Sequence, residues 1–261
     1  MQTKEEEFKK LVTYKRVEGE YLKRDLSHHL QENERFQLIR SPTGTGKTKY
    51  MQKAFEDMIA SNPLWVYIAV SPRCSVTQQH FKEFQSLGFV HYADDKNNLE
   101  SCTKIITTLD SITKINQRID VIYIDEVESL LEHVFSDTLN QKRLYVWKRL
   151  LQICNQATRV ICTDADFGDV SMTFFTNIFE AIKKAESQQV PHTLAWESQS
   201  LQDLQMQPKS NNFKALFLDN VRPLKSLRIK FCRNVKQWTD KLESALKIPR
   251  SKIFIGCDSK K

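Results

Sequence analysis

The run Arg40-Ser41-Pro42-Thr43-Gly44-Thr45-Gly46-Lys47-Thr48 separates two segments of different periodicity. Before it, Phe36 to Ile39 is a short apolar, strand-like run; after it, Met51, Ala54, Phe55, Met58 and Ile59 recur at helical spacing. Strand, glycine-bearing loop and helix, in that order, form the context of a phosphate-binding loop. Gly44 and Gly46 let the backbone curl so that successive N–H groups face phosphate oxygens, and the following helix adds the positive end of its dipole. In such a loop Ser41 to Thr48 cradle the phosphates, Lys47 reaches the β- and γ-phosphates, and the Thr48 hydroxyl lies on Mg2+. The chain has 6 glycines in all, and placing two of them this close together favours a demand of backbone geometry. The plainer reading of the same residues is a glycine-containing surface turn beside a lysine.

The second half of a nucleotide site is expected at Val121-Ile122-Tyr123-Ile124-Asp125-Glu126-Val127-Glu128, an apolar strand ending in paired carboxylates. Parallel sheets bind ligands at the carboxyl ends of their strands, so Thr48 and Asp125 can share one Mg2+ while Glu126 polarises an attacking water. Taken alone, an Asp-Glu pair after a strand is also what a solvated turn looks like.

Short β-rich runs recur at Phe36 to Ile39, Leu64 to Val70, Phe89 to Tyr92, Lys104 to Leu109, Val121 to Ile124 and Arg159 to Thr163, separated mainly by helical segments. Runs apolar throughout, such as Trp65 to Val70, suit strands covered on both faces, so the expected fold is α/β with a mainly parallel sheet. Asp137 to Ala157 and Met172 to Lys184 read as covering helices. Residues 1–34 read as a polar lead-in helix, 35–204 as the nucleotide-binding domain and 205–226 as a connection. Residues 227–261 read as the beginning of a second α/β domain, with strands at Leu227 to Cys232 and Lys252 to Gly256 around a helix at Asn234 to Leu246.

Composition is that of an ordinary globular protein, 40% hydrophobic and 27% charged. No apolar run approaches the about 18 residues of a membrane span, and Met1 to Lys10 is too charged for a signal peptide, so an intracellular location is expected. The six cysteines are scattered without a Cys-x-x-Cys pair and read as reduced core thiols; the histidines show no metal-ligand spacing. The net charge of +7 is uneven: residues 205–261 carry 14 Lys/Arg against 4 Asp/Glu. That asymmetry suits a polyanion such as DNA, and equally a solvated basic tail.

Ser41 to Thr48 with Asp125-Glu126 resembles motifs I and II of superfamily 2 helicases, Ser41 standing where the general loop pattern has its first glycine. Three shorter matches follow in order: Val70-Ser71-Pro72-Arg73, Thr107-Thr108-Leu109-Asp110-Ser111 and Cys162-Thr163-Asp164-Ala165-Asp166. Together they resemble the herpesvirus-type origin-binding proteins and relatives in other large DNA viruses, over roughly residues 35 to 170. The resemblance implies a RecA-like ATPase domain acting on DNA in replication, in the nucleus or a cytoplasmic viral replication site. It also implies that Ser71, Arg73 and Gln78 touch the nucleic-acid backbone, with Thr107, Thr108 and Ser111 as a second contact. Thr163, Asp164 and Asp166 would couple the ATP and DNA sites. Hydroxyls, an amide and a guanidinium at strand ends suit phosphate contacts that do not read bases. They suit helix capping as well, by Ser71, Ser75, Asp110 or Ser111, and Asp166 suits the cap of the helix after it.

Two functions follow as expectations: an ATP-driven DNA motor domain, or a nucleotide-switched DNA-binding module of replication initiation that does not translocate. The arginine-bearing Gln-x-x-Gly-Arg-x-x-Arg motif of a second RecA-like domain is not in this sequence, so slow hydrolysis by the chain alone is expected, with that domain and replication proteins as partners. Tyr21 and Leu22 are the candidates to meet the base.

Overall fold

In the computed structural model the described residues are 3–19, 21–22, 34–94, 98–187 and 214–221. The strands are β1 (Thr13–Glu18), β2 (Phe36–Arg40), β3 (Tyr67–Ser71), β4 (Val90–His91), β5 (Lys104–Thr108), β6 (Val121–Asp125), β7 (Arg159–Asp164) and β8 (Ala215–Val221). The helices are α1 (Lys4–Lys9), α2 (Lys47–Ser61), α3 (Cys74–Phe84), α4 (Val127–Val134), α5 (Arg143–Gln156) and α6 (Asp169–Ser187). All eight strands join one sheet in the order β1-β8-β2-β7-β6-β3-β5-β4, and every neighbouring pair is parallel. The doubly covered parallel α/β fold expected from the apolar runs is therefore present.

The strands alternate between two cores, as the two-residue period of a strand requires. Phe36, Leu38, Ile68, Val70, Ile122, Ile124, Val160 and Cys162 pack on one face with Leu130 of α4, Leu150 of α5 and Phe175 of α6. Ile39, Tyr67, Ala69, Val121, Tyr123 and Ile161 pack on the other with Met51, Ala54, Phe55 and Met58 of α2 and Phe84 of α3. Phe55 is fully buried and meets Phe84 and Phe89 edge-on or tilted, with ring centroids 5.3 and 4.9 Å away.

Three expectations change. Residues 13–18, within the segment read as a lead-in helix, form strand β1 on the sheet edge, register-paired with β8 from Thr13↔Leu216 to Glu18↔Val221. Among the described residues of that segment α1 is the helical part, held by a capping box in which the Thr3 hydroxyl accepts the Glu6 N–H and the Glu6 carboxylate accepts the Thr3 N–H. Second, Ala215–Val221 lies in the stretch read as a connection, yet β8 is an interior strand between β1 and β2. Third, the helix expected from Asp137 begins as a short 3-10 helix at Asn140–Lys142 and is α-helical only from Arg143. The second-domain elements expected at 227–261 lie wholly outside the described residues. Among the described cysteines Cys154 and Cys162 are buried thiols, Cys102 is half-buried and Cys74 is exposed. Among the described residues no helix is long and apolar enough to cross a membrane.

Candidate functional site

The topology brings the singled-out motifs to one edge. In register, Arg40 lies beside Asp164, Asp125 beside Thr163, Val70 beside Ile124 and Ser71 beside Thr108. The ends of β2, β7, β6, β3 and β5 thus stand side by side at the carboxyl edge of the sheet.

After β2 the chain turns through Ser41 to Gly46 and enters α2. Gly44 and Gly46 have φ of +77° and +83°, left-handed values that cost a side-chain-bearing residue about 1–2 kcal/mol. A Cβ built on either would meet nothing within 4 Å, so it is the backbone conformation and not a close neighbour that calls for glycine here. The loop is held from behind. The Asn220 amide on β8 donates to Ser41 Oγ at 2.9 Å, Ser41 Oγ meets Thr45 Oγ1 at 2.6 Å, and Thr45 Oγ1 donates to the Pro42 carbonyl at 2.7 Å. The Ser41 N–H donates to the Asp164 carbonyl at 2.8 Å, and the Leu22 N–H to the Thr45 carbonyl at 2.9 Å. Leu22 is thereby fixed against the loop, with the Tyr21 side chain exposed next to it. Ser41, the departure from a first glycine, is the buried hydroxyl through which β8 grips the loop. Just before it, the Arg40 guanidinium is clamped between Asp219, with bonds of 2.9 and 2.8 Å, and Glu5, with bonds of 2.9 and 3.3 Å. Tyr14 also donates to Asp219 at 2.9 Å.

Lys47 Nζ donates to the Ser41 carbonyl at 2.8 Å and lies 3.3 Å from that of Pro42. Burial pulls its ammonium pKa below the ordinary lysine value, opposed by the nearby carboxylates of Asp125, Asp164 and Glu126. Asp125 is buried with both oxygens engaged, Oδ1 accepting Thr163 Oγ1 at 2.6 Å and Oδ2 meeting His80 Nε2 at 2.9 Å. Burial raises its pKa, but the His80 bond, the Thr163 bond and the Lys47 charge outweigh that and hold the carboxyl below its usual range. Asp164 goes the other way: burial lifts it, and the N–H groups of Asp166, Glu128 and Ala165 offset this only in part. Glu126, at φ 52° and ψ 53°, is a left-handed non-glycine residue at the start of α4, with no side-chain capping bond.

Thr163 and Asp164 touch the other motifs directly: Thr163 holds Asp125, and Asp164 takes the Glu128 N–H at 2.7 Å while its backbone carbonyl holds Ser41. The Asp166 side chain is exposed, and its N–H donates to Asp164 Oδ1 at 3.1 Å. The cap of α6 is Glu128, whose carboxylate accepts the N–H groups of Gly168, Val170 and Ser171 at 3.1, 3.2 and 2.9 Å and the Ser171 hydroxyl. A Cβ on Gly168 would fall 2.7 Å from Glu128 Oε1, which accounts for glycine at that position. Glu128→Ala is expected to cost about 1–3 kcal/mol, because several donors lose a charged acceptor at once. Urea denaturation measures this, and an unchanged midpoint would remove Glu128 from the cap.

The residues expected to meet nucleic acid divide. Arg73 and Gln78 are exposed on α3 and Ser111 is half-buried. Ser71 and Thr107 are fully buried and Thr108 nearly so. Ser71 Oγ lies 3.1 Å from His80 Nδ1 and Thr107 Oγ1 donates to the Thr108 carbonyl at 3.2 Å, so these hydroxyls face inward rather than toward a ligand. The pleat is the reason, since strand residues whose side chains point into a core stay buried to the strand's last position. Helix capping does not explain them either: the capping positions are Arg73 before α3 and Thr108 before the 3-10 helix Leu109–Lys114, and neither makes a side-chain capping bond.

Asn220, Asp219, His80 and Glu128 were not identifiable from local spacing. A largely apolar cavity of about 640 Å3 between α4, α5 and α6, lined by Leu131, Trp147, Leu151 and Phe174 among others, contains none of the loop or carboxylate residues.

A family model described as "Origin of replication binding protein" matches residues 25–186. A protein of Acanthamoeba polyphaga mimivirus, named provisionally as a replication origin-binding protein, is 29% identical over 160 residues, covering 55% of this chain and 20% of that protein. A second mimivirus protein, named provisionally as helicase R8, is 26% identical over 160 residues, covering 56% and 15%. The replication origin-binding protein of human herpesvirus 7 (strain JI) is 22% identical over 158 residues, covering 60% and 20%. The chain thus spans a fifth or less of the length of these relatives.

Proposed function

The chain belongs to the family of origin of replication binding proteins, and from that premise we propose that it is an ATP-hydrolysing motor domain that moves on DNA during replication. The observation that carries the reading is Lys47 at the mouth of an open glycine loop, with Asp125, Glu126 and Asp164 gathered near it on one sheet edge.

The residues fit a magnesium–nucleotide. Open space over Gly44 and Gly46 gives backbone N–H groups access to phosphate oxygens, and Lys47 can exchange two loop carbonyls for them. Thr48 and Asp125 would hold Mg2+, which when bound neutralises phosphate charge. Among the described residues no group of three or more His, Cys, Asp or Glu side chains could cage a metal, which suits an ion held by one carboxylate plus substrate oxygens. Glu126 projects from a strained backbone beside the lysine, free of any capping bond, and serves as the base that orients water. Thr163 and Asp164 join this site to the rest of the edge.

For DNA, Arg73, Gln78 and Ser111 supply phosphate contacts, while Ser71, Thr107 and Thr108 support the strand ends from inside. A second RecA-like domain, contributing arginines to the γ-phosphate, is the partner the reading calls for, and residues 227–261 are proposed as its start.

The deciding experiment measures ATP turnover by this chain with and without single-stranded DNA, over a salt series. Turnover is expected to rise with DNA, and DNA affinity to fall steeply with salt and with little sequence preference. Arg73→Ala should weaken DNA binding more than nucleotide binding. Turnover indifferent to DNA would favour the nucleotide-switched binding module, and salt-independent affinity would remove the phosphate contacts.

A further inference from the structure

Asp125 is joined to the strand end that leads to Arg73 by a buried chain of polar atoms. His80, on α3, is 1% exposed. Its Nε2 lies 2.9 Å from Asp125 Oδ2 and its Nδ1 lies 3.1 Å from Ser71 Oγ. A carboxylate only accepts, so Nε2 carries a hydrogen and donates to Asp125, while Nδ1 shares a hydrogen bond with the Ser71 hydroxyl. The ring is held in plane by Phe84, stacked at 5.4 Å and 24°, and by Tyr123 at 5.7 Å. On the other side of the carboxylate, Thr163 donates to Asp125 Oδ1, and the Tyr123 hydroxyl in turn meets Thr163 Oγ1 at 3.0 Å. The carboxylate is thus gripped from two sides, and the His80 side belongs to the same helix that begins next to exposed Arg73.

We infer that His80 is a positioning residue that sets the orientation of the Asp125 carboxylate and ties it to Ser71 and the start of α3, so that magnesium–nucleotide and DNA occupancy are coupled through it. The inference rests on the proposed roles of Asp125 and Arg73. A phosphate drawn onto Arg73 pulls at the first turn of α3. His80 sits two turns further along the same helix, so the displacement reaches Asp125 through one side chain and two hydrogen bonds. A buried polar chain is stiff because each of its members loses a partner if it moves, which makes it a competent link between two arrangements.

The chain has two ends, which can be cut separately. At position 80 glutamine can reach the place of Nε2 and keep Asp125, while asparagine reaches only the place of Nδ1 and keeps Ser71. Ser71→Ala removes the far end with a smaller change in the core. The experiment uses the whole 261-residue chain, a fluorescent non-hydrolysable ATP analogue with Mg2+, and a single-stranded oligonucleotide. The quantity read is the ratio of analogue affinities with and without DNA, which for coupled sites is about 5- to 150-fold.

In the wild type the ratio is expected in that range. In His80→Gln and in Ser71→Ala it should fall toward one. His80→Asn should lower the affinity for the magnesium–analogue itself, with little effect when EDTA replaces Mg2+. Thermal denaturation of each variant separates this from loss of fold, and Ser71→Ala carries the test if both His80 variants unfold. A wild-type ratio well above one that persists in folded His80→Gln and Ser71→Ala would overturn this inference and leave the proposed function standing. A wild-type ratio of one would overturn both.

Discussion

Lys47→Ala should fold and yet turn over ATP at least about 10²- to 10³-fold more slowly than the wild type, the loss expected when one preorganised cationic donor to developing charge is removed. The fold should survive because the ammonium hydrogen-bonds only to the carbonyls of Ser41 and Pro42, within its own loop. Ser41 stays anchored by Asn220 and by the Asp164 carbonyl whether or not the lysine is present. The catalytic loss should exceed that of one missing hydrogen bond. Without the ammonium, the carboxylates of Asp125, Glu126 and Asp164 are left near the place where the phosphates enter, and their field opposes an anionic ligand. Circular dichroism and a melting curve establish the fold, and steady-state phosphate release measures turnover. Wild-type turnover in a well-folded Lys47→Ala variant would sink the assignment of the loop.

The parallel sheet was legible because its central strands are written without interruption: Val121 to Ile124 and Tyr67 to Val70 are apolar on both faces, as they must be when both faces are covered. The two strands read otherwise fail for opposite reasons. β1 is an edge strand with Lys15, Arg16 and Glu18, so its charges read as the polar side of a helix. β8 is interior, but Ala215 to Leu218 is a run of four apolar residues beyond a long polar stretch, short enough to pass for part of a connection. The site divides similarly. Lys47 and Asp125 each stand in a local pattern that has a mechanical reason, and such patterns can be read one segment at a time. Asn220 on Ser41 and Asp219 on Arg40 are pairings across 179 residues, and nothing in the neighbourhood of either partner encodes them. Ser71 and Thr107 show the converse error, since a motif gives residue type and place but not which way the pleat turns the side chain.

Glu126 supplies the sharpest test, because its backbone and its side chain call for different residues. At φ 52° and ψ 53° it occupies the left-handed region, a conformation that costs a non-glycine residue about 1–2 kcal/mol. Nothing local offsets that cost, since the side chain makes no capping bond to α4 although it stands at the capping position. Strain kept without a capping bond is the observation that makes Glu126 worth testing for a functional role. Glu126→Gln preserves shape and backbone but removes the proposed base, so nucleotide should still bind while hydrolysis falls by about 10²–10⁴. Glu126→Gly removes the base and the strain together. It should lose hydrolysis to a similar degree and yet unfold at higher urea, stabilised by about 1 kcal/mol, with the freer unfolded chain of glycine taking back part of the gain. A destabilising mutation can abolish activity by damaging the fold, but a stabilising one cannot. If Glu126→Gly proves both less stable and less active, the left-handed turn is serving the fold. If Glu126→Gln hydrolyses at the wild-type rate, the water is oriented by another group, and Asp164, whose pKa burial raises above the ordinary carboxylate value, is the next residue to test.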